Sequence, residues 1–425
     1  MASSKYATQR LIGFGATLMV SAGISVSCSA ESLEDVFKKG KVSGQLRAFW
    51  NDGQRELKVD RTALTVGGIL SYQTAPIAGI NAGVSFYSSN GITSLTHMPE
   101  SGQTHNLNLD GSSINTLGEA YLQYKGEDTL IIYGRQRLDF PLANDYYNRM
   151  LPNTFEALYI ENRSLTNTLF KAAYITGWKY KADDTFRSAT YALGVDSDIV
   201  VLGTIYTPTP SLKFEVYDTY VADVLHSPYL QFTDNAIWIS SGGIKLSGAV
   251  QYMRENSVGL NAAGEMNTYL LGGKFIVTKG EWSLRTLYTR IGNQTLQGTG
   301  GRTEKMGWGK FVTFTDLQID GEGINADAKA YGAIITYRPL PTFEISAKYM
   351  YIDQNDAVQS NPSSITLNPR PDSNEYNIDA TYQPRKAFRL RTRFARIDYD
   401  SGSTDLYKRQ AYDETNIRII ADYLF

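Results

Sequence analysis

The chain has 425 residues, 42% hydrophobic and 12% aromatic by type, with 29 Tyr, 37 Gly and only 13 Pro. Its formal net charge is −2 and its sequence pI about 6.0, which excludes nucleic acid as the main partner, since that role needs a basic domain. Such a composition fits several soluble domains or one large β-barrel, and it favours strands over helices or disorder.

Residues 1–30 read as a secretory signal peptide, leaving one domain over 31–425. Lys5 and Arg10 precede the apolar run Leu11–Val26, which ends in Ser27-Cys28-Ser29-Ala30 before Glu31. That order of charged, apolar and small residues is an export signal, with cleavage expected after Ala30. The run is short and interrupted by Gly, which argues against a membrane anchor. Ser25 stands where an acylated lipoprotein needs an apolar residue three positions before Cys28. Cys28 is the only cysteine and leaves with the signal, so the mature chain has no disulfide or thiol chemistry. Without Lys5 and Arg10, the 41 basic residues become 39 against 43 acidic, a mature net charge of −4. No later apolar run approaches the roughly 20 residues of a membrane helix. The mature protein is therefore periplasmic, secreted or a barrel in an outer membrane.

Glu31–Lys39 is predicted as a short lead-in helix and Val42–Trp50 as the first strand. Strand-like segments then recur to the end of the chain, with separators of two kinds. Short ones carry Gly, Pro, Ser, Asn or Asp where a backbone reversal needs them: 75–79, 125–128, 164–167, 208–211, 241–243, 278–281, 339–342 and 384–386. Long polar ones cover 51–60, 89–115, 138–154, 181–198, 222–228, 255–266, 292–325, 354–373 and 400–412. The two kinds alternate strictly, as turns on one rim and loops on the other do in an outer membrane barrel. Nine long loops and eight short turns separate 18 strands, so the predicted fold is an all-β, antiparallel transmembrane barrel. A soluble sandwich also alternates apolar and polar residues. Tyr and Phe at strand ends, and the closing Asp422-Tyr423-Leu424-Phe425, favour the barrel with its aromatic girdles.

One strand is unusual. In Arg385–Asp398, Arg389, Arg391 and Arg393 share one parity, and Phe388, Leu390, Thr392 and Phe394 share the other. An arginine on the lipid face near mid-membrane costs about 2–4 kcal/mol, so the arginines must face the lumen. There they form a cationic track about 6.6–7 Å per step, or they neutralise lumenal acids such as Glu375 and Asp379. Arg47 and Arg135 fall near the same polar parity and would extend the track. Arg396 breaks phase, either by snorkelling to lipopolysaccharide phosphates or through a bulge.

Several stretches are similar to OprD-type and epsilonproteobacterial major outer membrane porins. They are Ser32–Arg47, Thr65–Pro76 continuing to Gly83–Tyr87, Tyr133-Gly-Arg-Gln136, Asn144-Asp145, and Arg149-Met-Leu-Pro-Asn-Thr-Phe155. Tyr146-Tyr147-Asn148 is inserted relative to the family pattern around the third loop. The resemblance implies a porin for passive uptake of small polar solutes. It also implies a third loop that narrows the lumen opposite a ladder of basic residues. Since 138–154 is the third long loop, Arg137, Asp145 and Arg149 become candidates for the constriction.

No cofactor or metal is expected. Asn106–Gly111 begins like a calcium loop, but Leu117 stands where a bidentate Glu is required. Asp316, Asp320 and Asp327 read as rim charges, and Gly298–Gly301 with Gly307–Lys310 as flexible loop. The three histidines, His97, His105 and His226, form no specific catalytic pattern, so an enzyme is not expected. Two rivals stand beside the channel: a scaffold, adhesin or partner-threading barrel without general pore activity, and a barrel hydrolase. The expected partners are small solutes, carboxylate-bearing ones among them, and the lipid and lipopolysaccharide of a Gram-negative outer membrane. A monomer and a homotrimer are both compatible with the sequence.

Overall fold

Alternating apolar and polar side chains only pair into a stable sheet when one face meets an apolar medium, and a long sheet must close to satisfy its edges. The computed structural model describes residues 32–56, 59–92, 102, 104–293, 308–310, 313–315, 317–319, 327–354, 371–400 and 413–425. The expected signal peptide, His97, Gly298–Gly301, Asp316 and Asp320 lie outside them.

The elements are α1 (Leu33–Lys38), β1 (Lys41–Arg55), β2 (Arg61–Gln73), β3 (Ile80–Gly91), β4 (Ile114–Lys125), β5 (Thr129–Gln136) and β6 (Thr154–Asn162). They continue with β7 (Thr168–Lys179), β8 (Arg187–Ser188), β9 (Ile199–Tyr206), β10 (Leu212–Val221), β11 (Leu225–Ile239), β12 (Ile244–Ser257) and β13 (Asn267–Lys279). The last six are β14 (Trp282–Ile291), β15 (Lys329–Leu340), β16 (Phe343–Asp353), β17 (Ser373–Arg385), β18 (Phe388–Tyr399) and β19 (Glu414–Leu424).

The two-residue β8 only hooks onto the end of β7, through Gly177↔Ser188 and Trp178↔Arg187. The other 18 strands form one antiparallel ring. β7 pairs directly with β9, and β1 pairs with β2 on one side and β19 on the other. Closure thus leaves no free edge, and the predicted strand number and alternation of rims hold.

The outer parity carries Leu46, Leu70, Val84, Leu122, Leu158, Leu202, Leu230, Val250, Ile335 and Ile378, all exposed. The inner parity carries Gln45, Arg47, Asn51, Gln251, Asn377, Arg393, Arg418 and Asp422, all buried inside the ring. A barrel that is apolar outside and polar inside is the reverse of a soluble protein and suits a bilayer. α1 begins at Ser32, whose hydroxyl accepts from the Asp35 N–H at 3.1 Å, and Val36 packs on Ala75 beneath the short-turn rim.

Three expectations change. Residues 222–228 are not a long loop: β10 ends at Val221 and β11 begins at Leu225. Asp223 takes φ 61° in the reversal, which Asp tolerates, while burial of Leu225, Ser227 and Tyr229 draws the next residues into the strand. No bulge displaces Arg396, because the β18–β19 register runs unbroken from Phe388↔Tyr423 to Ile397↔Glu414. Arg396 lies on the outer parity with Phe394 and pairs with Asp398 at 2.6 Å and Asp413 at 3.4 Å. Arg135 is not on the lumenal wall. It shares the parity of Tyr133, which is 67% exposed, and pairs with Glu156 at 2.9 Å. Its guanidinium also lies 4.2 Å over the Phe186 ring. Tyr133 was the available signal: an outward aromatic two residues away fixes the side of Arg135.

Candidate functional site: the lumenal constriction

The third loop starts at Tyr133-Gly134-Arg135-Gln136. Gly134 has φ 120°, and a Cβ there would run into the Ala120 carbonyl oxygen, so only Gly fits. Gln136 donates from Nε2 to the Ala157 carbonyl at 2.9 Å, pinning the strand end from which the loop departs.

The loop then crosses the ring instead of extending from it. Its first half buries Leu138, Phe140, Leu142 and Ala143 against Tyr159, Tyr217 and Trp308 on the β6–β11 side. Its second half buries Met150 and Leu151 against Phe49, Ile69, Tyr87 and Ile114 on the β1–β4 side. Two apolar anchors on opposite walls hold a polar segment, 144–149, across the water path. The inserted Tyr146-Tyr147-Asn148 helps to hold it. Tyr147 donates to Gln45 Oε1 at 2.7 Å and lies 4.4 Å beneath Arg47, and Lys181 sits 3.6 Å over the Tyr146 ring. Lys181 also donates to Asn148 Oδ1 at 2.8 Å.

The three loop candidates separate in role. Arg137 and Asp145 form a charge-assisted pair, with Arg137 Nε 2.9 Å from Asp145 Oδ2. Burial raises the Asp145 pKa, and Arg137 opposes that. Arg149 is 8% exposed, and its Nε and Nη1 have no hydrogen-bond partner. Burial and then Arg61 push its pKa down to about 10, so it remains charged at neutral pH. Among the described residues no carboxylate lies within ion-pair distance of Arg149.

The wall facing the loop is cationic. Arg47 and Arg389 share Asp422, with Arg47 Nε at 2.6 Å from Oδ1 and Arg389 Nη2 at 2.5 Å from Oδ2. Arg391, Arg393 and Lys348 converge on Asp379, the last two at 3.2 and 3.5 Å. Arg47 also donates to the Arg149 carbonyl, which ties wall and loop together. The three arginines of β18 and Arg47 therefore do come together with the loop, and only Arg135 does not. Glu375, the other acid expected on this wall, meets the seventh loop. Its carboxylate accepts from the Gln318 and Ile319 N–H groups at 2.9 and 3.0 Å.

That contact belongs to a second constriction element absent from the expectations, the seventh loop. Gln318 donates from Nε2 to Asn416 Oδ1 at 2.9 Å, and its carbonyl accepts from Arg418 Nη2 at 3.1 Å. Arg418 is 1% exposed, and its partners among the described residues are neutral, Asn51 and Asn416 included. The seventh loop also meets the third. Asn144 donates to the Lys310 carbonyl at 2.7 Å and accepts from the Lys310 N–H at 2.8 Å, while Trp308 donates to the Ala189 carbonyl at 2.8 Å. Replacing Asn144 with Ala removes hydrogen bonds worth about 1 kcal/mol each. The loops should then part more easily, giving larger and noisier single-channel steps in planar bilayers; an unchanged conductance would show that this contact does not limit the path.

The two described histidines sit in local contacts. His105 is within 3.2 Å of the Tyr180 hydroxyl, and burial followed by Arg149 and Lys181 lowers its pKa well below the usual value. His226 pairs with Asp218 at 2.7 Å on the outer parity of β10 and β11. In the calcium-like stretch, Asp110 accepts from the Ser112 N–H at 2.9 Å and its hydroxyl at 2.7 Å, so its carboxylate is spent locally.

A ring of 18 strands with a lumen narrowed by an inward loop is a pore architecture, and comparison with known proteins agrees. The family described as outer membrane porin, OprD family, matches residues 82–385. The chain belongs to that family. Among solved structures, this porin is similar to Pseudomonas aeruginosa OccK9 (OpdG), with a TM-score of 0.75 at 17% identity over 92% of this chain and 99% of that one. A BenF-like porin from Pseudomonas fluorescens Pf-5 gives 0.75 at 14% identity, over the same shares. Pseudomonas aeruginosa OpdK with vanillate gives 0.72 at 16%, again covering 92% and 99%. At these identities the likeness establishes the fold. No curated protein matches the chain closely enough to count as a relative. The barrel thus resides in a Gram-negative outer membrane and acts as a porin channel.

Proposed function

We propose that this porin favours small solutes bearing a carboxylate, which pass between the third loop and the wall of β1, β18 and β19. The observation that carries the reading is Arg149, a buried cation of the constriction loop with two unpartnered N–H groups. An unpaired buried charge is costly unless an anion visits it. Arg389 and Arg391, each 29% exposed in the side chain, supply the wetted approach. Their guanidinium forks suit a carboxylate in two-point contact, and a solute can exchange from one to the next. A similar protein, OpdK, has been solved with vanillate, itself an aromatic carboxylate.

The chemistry is transfer without bond making, so neither the scaffold nor the hydrolase reading gains support from the site. Export of the chain behind residues 1–30 is part of the same proposal. The test is Arg149→Gln in planar bilayers under a salt gradient. A unit charge at about 4 Å in water is worth about 1 kcal/mol, so the anion-to-cation permeability ratio should fall about fivefold. An unchanged reversal potential would remove Arg149 from the path.

A further inference from the structure

Outward-facing cations are expensive near mid-membrane and nearly free at the lipid headgroups, so their level and partners reveal what they meet. On the long-loop side of the wall, Arg254 lies two residues beyond Tyr252, Arg290 two beyond Tyr288, and Lys329 two before Tyr331. Tyr288 and Tyr331 pack at 5.2 Å, and Tyr252 stacks with Tyr269 at 6.4 Å, which marks an aromatic girdle just below the cations. Arg290 and Lys329 are direct register partners, and Tyr269 lies opposite Arg254, between it and the β14 cation.

Two of these cations differ from other outward ones at this rim. Arg135 has Glu156, and Arg396 has both Asp398 and Asp413. Arg254, by contrast, bonds only amide oxygens, Asn256 Oδ1 at 3.0 Å and Asn267 Oδ1 at 2.6 Å. Arg290 is exposed and has no hydrogen bond or ion pair among the described residues. Asp353, 3.1 Å from Lys329, is the carboxylate paired here among the described residues. Arg254 and Arg290 therefore present cations at headgroup level with no paired carboxylate among the described residues, above a ring of tyrosines.

We propose that this sector is a binding site for the phosphate groups of an outer-leaflet glycolipid, held directly by Arg254, Arg290 and Lys329. Guanidinium forks grip phosphate oxygens in pairs, the ammonium adds a point charge, and the tyrosines pack on the sugar and upper acyl chains. The site rests on the membrane position of the porin, not on its solute. Because the contact is direct, it needs no bridging divalent cation.

Native mass spectrometry of the detergent-purified porin with lipid A, in the presence of a chelator, tests it. Wild type should retain phosphorylated lipid A about a hundredfold better than the dephosphorylated form, and the R254Q/R290Q/K329Q variant should lose about that factor. Arg396→Gln should behave as wild type. If the triple variant misfolds, Arg290→Gln alone should lower retention about fivefold, since its side chain makes no hydrogen bond or ion pair among the described residues. Equal retention of both lipids by wild type, or undiminished retention by the variants, overturns the proposal. Bilayer conductance recorded on the same samples separates this outcome from failure of the channel reading, because lipid retention does not depend on an open pore.

Discussion

Replacing Asp379 with Asn is expected to destabilise the barrel by about 3–5 kcal/mol, the usual consequence of removing one partner from a buried charge pair. Asp379 is 7% exposed and faces three cations at once. Arg391 grips both of its oxygens, with Nε at 2.8 Å from Oδ1, while Arg393 and Lys348 reach Oδ2. An amide of the same size keeps the volume but offers no negative charge and turns two N–H groups towards donors. Arg391 and Arg393 stand two residues apart on one strand face and would then repel across a short gap. Water in the lumen softens the penalty at Arg391, which is part-exposed, and less so at Arg393, whose side chain is 9% exposed. The measurement is the urea midpoint of the folded, heat-modifiable band on gels. A midpoint matching wild type would mean that solvent, not Asp379, stabilises the arginines.

The fold was legible in the sequence because a barrel writes its rule locally, in side-chain parity and in separator length. Turns such as Lys125-Gly126-Glu127-Asp128 and the run Arg389-Leu390-Arg391-Thr392-Arg393 each state which rim or face they occupy. The limit came where one residue decides the face. Gly134, with its positive φ, and the neighbouring Tyr133 put Arg135 outside, although its spacing from other polar residues suggested the lumen. The turn at Asp223 looked like a loop because its flanking residues, His226 and Pro228, are poor strand formers held in place by their pairing with β10 and by burial of alternate neighbours.

The constriction was half legible. Residues 133–155 carried a family pattern and 138–154 a position in the loop count, so Arg137, Asp145 and Arg149 could be named. The seventh loop carried no such mark. Gln318 and Trp308 act through long-range contacts, to Asn416 and Arg418 and to Ala189, that no periodicity encodes. Asp422 was visible as a polar residue on the last strand, but its position between Arg47 and Arg389 depends on ring closure, which brings β1 beside β19.

The largest functional effect is expected from replacing Arg389, Arg391 and Arg393 together with Gln. This variant removes three positive charges, yet Arg47 stays on Asp422 and Lys348 stays on Asp379, so neither carboxylate is left without a cation. The barrel should therefore keep a urea midpoint closer to wild type than the Asp379→Asn barrel does. At about 1 kcal/mol per charge in water, three charges correspond to about a hundredfold fall in the anion-to-cation permeability ratio. The fall should shrink in concentrated salt, where screening shortens to about 3 Å at 1 M and the wild-type wall itself loses its reach. Uptake of a carboxylate into liposomes should slow in step, while an uncharged solute of the same size should pass as before. That pairing separates the two roles left open for the strand. If the arginines only balance Asp379 and Asp422, carboxylate and neutral uptake will change together or not at all. If they guide the solute, only the carboxylate will slow, because the charge has gone and the width of the lumen, set by the third and seventh loops, has not.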